Sequence, residues 1–200
     1  MSERQMDKPL NSYRKEIDLY PLQRYCLSNG KKLTMPRGAI FQQSGTPSRH
    51  IAYIEKGCFK YTVHNHADGR DYITGFAFDG EFVADYPNCL YGLPSKVQIE
   101  ANTEAKVYIV NGEDVYKVLM ANATNLLYGL KIMEGLFQQI YANYIDLYSH
   151  DARERYRHLL KRCPQIVQQL SLKDIASYLK LHPNTISKIR HDITFEGQQP

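Results

Sequence analysis

The chain has 200 residues, enough to bury a core as one large domain or two modest ones, and a composition of 43% hydrophobic and 23% charged residues without low-complexity tracts excludes a disordered or fibrous protein. No run approaches the roughly 20 uninterrupted apolar residues of a membrane helix, and the polar N-terminus MSERQMDKPLNSYRKE lacks the apolar segment of a secretory signal, so a cytoplasmic location away from membranes is expected. The net charge of +4 is unevenly spread: residues 1–150 hold 16 Lys and Arg against 16 Asp and Glu, whereas residues 151–200 hold 9 against 5, so the last quarter either meets a polyanion or carries a mildly basic solvated surface.

From Lys31 to about Val110 the chain reads as short apolar or alternating runs: AIFQQ (39–43), HIAYIEKG (50–57), CFKYTVH (58–64), DYITGFAF (71–78), KVQIEA (96–101) and AKVYIV (105–110). Tyr, Phe, Ile, Val and Thr dominate them, and breaks such as Pro36-Arg37-Gly38, Lys56-Gly57, Asp68-Gly69 and Asp79-Gly80 separate them. Many strands at short spacing predict an antiparallel roll, barrel or jelly roll. The four cysteines, Cys26, Cys58, Cys89 and Cys163, are too far apart for a CxxC pair or a zinc motif, and read as free buried or half-buried thiols, a redox or cluster-binding role being the alternative.

The period then changes. From about Glu113 to Leu147 there is no proline, and Leu126, Leu130, Met133, Phe137, Ile140, Tyr144 and Leu147 recur at spacings alternating between four and three. That is a heptad stripe over three repeats, which predicts a helix packed lengthwise on a partner helix. A helix lying on its own sheet would instead drift toward a 3.6 period. A polar segment follows, with a hinge expected near Ser149–Arg153, dividing the chain into 1–148 and 149–200.

Two short helical patterns, 172–180 and 183–191, close the chain. In LKDIASYLKLHPNTISKIR, Ile175, Leu179, Leu181, Ile186 and Ile189 supply a shared core for two helices crossing at a tight turn, Ala176 the close approach, and Pro183 a residue suited to the first turn of the second helix. The outward positions of that helix are then Asn184, Thr185, Ser187, Lys188, Arg190 and His191, all hydrogen-bond donors. Asn can read adenine, Lys and Arg can read guanine or hold phosphate, and Ser and Thr serve either. A helix-turn-helix that binds double-stranded DNA is therefore predicted over a plain solvated helical hairpin, with Asn184 and Lys188 on bases, Thr185 and Ser187 on bases or phosphates, and Arg190 and His191 on phosphates.

With these segments in their order, the sequence from about Tyr20 to Ile193 resembles the CRP/FNR family of bacterial transcription regulators. The resemblance rests on PRGAIFQQSGTPSRHIAYIEKGCFKYTV, the hairpin NHADGRD, the GEF of Gly80, Glu81 and Phe82, the long helix and IASYLKLHPNTISKIR. It implies an α+β protein: an N-terminal antiparallel β-roll of the cyclic-nucleotide-binding-like jelly-roll kind, a long dimerisation helix over about 113–148, and a C-terminal winged-helix-type helix-turn-helix. It further implies a homodimer on a palindromic site and contact with RNA polymerase. Cyclic-nucleotide-binding members hold the cyclic phosphate with an Arg-Ser pair downstream of the glycine-glutamate turn, where this chain has Ser95 and Lys96. Gly80, Glu81, Phe82, Ser95 and Lys96 are thus the candidate effector pocket, but a lysine lacks the fork for bidentate capture, so cyclic AMP is not the expected ligand and no cofactor is assigned. The closely spaced N-terminal cysteines of the oxygen-sensing members are absent. Lys180 replaces the family's turn glycine, and Asn184 and Lys188 replace its usual acidic residue and arginine, so no operator sequence carries over.

Two other functions compete. Gly57, His64, His66 and Asp71 approximate the glycine, HxH and acidic residue of a metal-dependent cupin enzyme, although the histidines read more simply as flanking a hairpin turn at Ala67-Asp68-Gly69-Arg70. A cyclic-nucleotide adaptor without DNA function would keep the pocket and lose the helix-turn-helix, the reverse of this pattern. No catalytic constellation stands out, so no enzymatic activity or metal is expected.

Overall fold

The computed structural model describes residues 18–164 and 166–196; the segment MSERQMDKPLNSYRKE lies outside them. The chain opens with a helix absent from the expectations above, α1 (Tyr20–Asn29), which buries Cys26. Eight strands follow in two four-stranded antiparallel sheets. They are β1 (Lys31–Met35), β2 (Ile40–Gln42), β3 (His50–Lys56), β4 (Phe59–Asn65), β5 (Arg70–Ala77), β6 (Phe82–Ala84), β7 (Gln98–Ala101) and β8 (Ala105–Asn111). One sheet runs β1-β8-β3-β6 and the other β2-β7-β4-β5.

The residue pattern explains which strands sit centrally. β3 and β8 are apolar on both faces because both faces are covered: Ala52, Ile54, Ala105 and Val107 enter the core between the sheets with Phe59, Val83 and Ile99. Ile51 and Val110 instead join Cys26, Cys89, Leu90 and Val115 beneath the helices. Gly57, which follows β3, has φ +111°, and a Cβ there would stand 2.6 Å from Ala105 Cα. Only glycine allows the two chains this close.

A short helix, α2 (Asn88–Tyr91), interrupts the strands and was also unforeseen. The single helix expected over about 113–148 is in fact two, α3 (Gly112–Met120) and α4 (Ala123–Ser149). The cause is Asn122, whose side chain accepts the Asn125 N–H at 2.9 Å and so starts a new helix. Four helices follow: α5 (Ala152–Arg162), α6 (Ile166–Gln169), α7 (Leu172–Tyr178) and α8 (Pro183–Glu196). Between α4 and α5, Ser149 gives way to an extended His150, and Asp151 opens α5 with a capping box, accepting from the N–H groups of Arg153 and Glu154 while Glu154 accepts from its own N–H. Among the described residues no strand follows β8, so the wing of a winged helix is not among them.

The C-terminal helices pack against the roll. Cys58 and Phe78 share a core with Tyr156, Leu159, Cys163, Ile166, Ile175 and Ile186. Phe76 lies against Tyr178 with ring centroids 5.6 Å apart, and the Ile73 N–H donates to Ser177 Oγ at 3.0 Å.

Candidate nucleic-acid interface and sensor pocket

α7 and α8 form a helix-turn-helix whose core is the predicted one. Ile175, Ala176, Leu179, Ile186 and Ile189 are buried, and Leu181 is packed against them in part. Ser171 caps α7 by accepting the Asp174 N–H at 3.1 Å. α7 ends in a Schellman turn: Lys180 takes φ 53°, its N–H bonds the Ser177 carbonyl, and the Leu181 N–H bonds the Ala176 carbonyl at 2.9 Å. Lys180 thus adopts the left-handed conformation that the missing glycine would have taken without strain. The next helix starts on His182, whose ring Nδ1 accepts the Asn184 N–H at 3.2 Å, with Pro183 in the first turn.

With Ile186 and Ile189 turned inward, Asn184, Thr185, Ser187, Lys188, Arg190 and His191 are all exposed. The six therefore occupy the outer surface of one helix. Asn184, Thr185 and Ser187 are neutral donors, followed along the helix by the cations Lys188 and Arg190.

α4 spans 27 residues and buries none of them, an extent of about 40 Å at 1.5 Å per residue. Its first turns meet the rest of the chain where Gly129 approaches Leu119 and the Tyr128 hydroxyl accepts the Leu22 N–H, and its last turns meet α5, where Asn143 and Asp146 face Arg162 and His158. Leu126, Leu130, Met133, Phe137, Ile140, Tyr144 and Leu147 are 40 to 67% exposed. Leu127, Tyr141, Ile145 and Tyr148, each one residue beyond a stripe position, are exposed too and widen the apolar face. The stripe alone did not disclose this breadth. Phe137 stacks on Tyr141 with centroids 5.7 Å apart.

The candidate effector residues engage their surroundings separately. Gly80 has φ 75° and its N–H donates to the Ile54 carbonyl at 2.7 Å. Glu81 is 7% exposed, and its carboxylate accepts the Phe78 N–H at 3.0 Å. Its charge helps raise the Cys58 and Cys163 thiols after burial has done most. Phe82 packs on Tyr53. Ser95 is buried, its hydroxyl donating to the Val97 carbonyl at 2.8 Å, and Lys96 is exposed. Phe41 meets Phe59 edge to face inside the roll, and the Tyr61 hydroxyl accepts the Ala84 N–H at 3.2 Å.

His64 lies 2.8 Å from Asp71 across the β4–β5 hairpin and meets His66 edge to face, all on the exposed surface. A larger space, not anticipated from sequence, is a cleft of about 670 Å³ between this hairpin and the helices, lined by Val63, Tyr72, Asp146, Arg155, Arg162 and Lys180 among others. All four cysteines are free and buried.

Residues 32–122 match the cyclic nucleotide-binding domain family. No curated protein sequence matches the chain. Among solved structures, FixK2 from Bradyrhizobium japonicum superposes with a TM-score of 0.72 at 16% identity, over 84% of this chain and 86% of its own. The c-di-GMP responsive global regulator CLP of Xanthomonas campestris gives 0.65 at 16% identity, over 90% and 93%. A CooA mutant from Carboxydothermus hydrogenoformans gives 0.66 at 14% identity, over 97% and 88%.

Proposed function

We propose, from a chain that has the fold of the CRP/FNR transcription regulators and carries a cyclic nucleotide-binding domain over residues 32–122, that it is a homodimeric DNA-binding transcription regulator whose roll does not take cyclic AMP. The observation that carries this reading is the surface of α8, where six donor side chains stand exposed over a buried apolar seam. The exposed apolar face of α4 supports pairing with a second copy, because a face this long and this apolar is an interface in a soluble protein. Two copies present two recognition helices to successive major grooves. Against cyclic AMP stand the engaged Ser95 hydroxyl, the exposed point charge of Lys96 and the aromatic filling of the roll.

The test is selection of bound fragments from random duplex DNA by the purified full-length protein, followed by two variants. Asn184→Ala should change preference at one base position by about 1–3 kcal/mol, whereas Arg190→Ala should weaken all duplexes alike and lower the salt slope by about one. A symmetric selected site is the expected result. A monomer indifferent to every duplex at low salt would overturn the reading.

A further inference from the structure

Asp146 and His150 stand one helical turn apart at the end of α4, and the chain reverses at Asp151 so that His158 of α5 meets them. One oxygen, Asp146 Oδ1, faces His150 Nδ1 at 3.3 Å and His158 Nδ1 at 3.2 Å. The two rings meet edge to face with centroids 4.5 Å apart. Among the described residues this is the one set of three such side chains whose ligating atoms all lie within 4.8 Å of one another, and all three are half-buried.

The His158 contact stands at the long limit of an N–H···O bond, and the His150 contact just beyond it. An N–H···O bond prefers about 2.9–3.0 Å and a charge-assisted one about 2.7–2.9 Å, yet two imidazole nitrogens share a single carboxylate oxygen at greater length. Ligands about 2.0–2.1 Å from a tetrahedral ion stand roughly 3.3–3.4 Å from one another, close to the two spacings from Asp146 Oδ1, and the two nitrogens lie within 4.8 Å of each other. We propose that Asp146, His150 and His158 bind a divalent transition-metal ion of the zinc class at the junction of α4 and α5. Two imidazoles and one carboxylate suit such an ion over magnesium or calcium, which take oxygen sets. Three protein ligands leave a fourth position for water, and on taking up the ion the His150 nitrogen gives up its contact with the Ser149 hydroxyl, which also donates to the Ile145 carbonyl.

Arg162 is the opposing charge. It also bonds Asn143, and approaches Asp146 through the other carboxylate oxygen, Oδ2, at 3.9 Å. At that distance it attracts the other carboxylate oxygen without bonding it, leaves Oδ1 to the two rings, and by its charge disfavours a nearby cation. Because the ligands come from both sides of the break, a bound ion fixes the angle between the apolar helix and the helix-turn-helix. If the DNA-binding reading holds, metal and duplex change each other's affinity by the same factor.

The experiment titrates the chelator-treated full-length protein, without DNA, with cobalt(II) and then zinc(II), reading the visible ligand-field bands of cobalt and the heat of zinc binding. One ion per chain is expected, with affinity falling by roughly tenfold or more in His158→Ala and in Asp146→Asn and unchanged in the His64→Ala/His66→Ala pair. Circular dichroism checks the fold of each, and His150→Gln serves as a further ligand variant should one of them unfold. No saturable binding, equal binding by the three ligand variants, or loss in the His64/His66 pair would overturn the site. Gel-shift measurements with and without zinc then read the coupling separately, so a chain that takes metal but no duplex sinks the regulator and leaves the site standing.

Discussion

Lys180 shows how far one residue's conformation follows from its neighbours. The core on either side, Leu179 and Leu181, holds the Schellman turn so firmly that a lysine accepts φ 53°. A left-handed residue other than glycine costs about 1–2 kcal/mol, and the Lys180 ammonium recovers little, 5.9 Å above the Tyr72 ring. Lys180→Gly should therefore stabilise the protein by about 0.5–1 kcal/mol, read as a shift in the urea midpoint at constant slope. The thiols are a second case. Burial pushes Cys26, Cys89 and Cys163 up to about 12 and Cys58 further. Since their folded values exceed the ordinary thiol value, the stability they contribute is complete below the ordinary value and is lost as pH rises from it through the folded values. At pH 8 a thiol-reactive dye should label the native chain slowly, and all four cysteines should react at once after unfolding. Their distance from one another in sequence was enough to exclude a metal motif; that all four are buried follows from the strands and helices around them.

At the scale of the element, α4 was legible in its stripe and illegible in its start. Leu126 to Leu147 repeat plainly, but the break at Asn122 depends on one capping side chain inside an otherwise helical stretch, and only the bond to the Asn125 N–H settles it. α1 and α2 went unread because each is short and depends on the roll beneath it, as Cys26, Cys89 and Leu90 show by sharing one core with Ile51 and Val110. The apolar surface of α4 gives a direct test. Phe137→Glu with Ile140→Glu places two carboxylates where exposures reach 64 and 67%. The pair should leave the fold intact, since neither side chain supports the monomer's core, while weakening self-association by roughly a hundredfold or more, measured by sedimentation at micromolar concentration.

At the scale of the whole molecule, six of the eight strands, the helix-turn-helix core and its outer donors were readable because each rests on local periodicity or turn chemistry, whereas β1 and the three-residue β6 were not singled out. Contacts made by reversal of the chain were not. Asp146 and His150 carry a readable four-residue spacing, but nothing in the sequence brings His158 back across the break, and the cleft between hairpin and helices is equally a product of docking. Docking also has a consequence for the sheet. β5 is an edge strand, a row of backbone groups ready to recruit a stray chain, and Ser177 of the helix-turn-helix takes up the Ile73 amide on it. The helix-turn-helix thus doubles as a shutter over a sticky margin. If gripping a duplex swings it away, the Ile73 amide should exchange with deuterated solvent faster in the complex than in the free protein, so a single proton would tell which way the shutter stands.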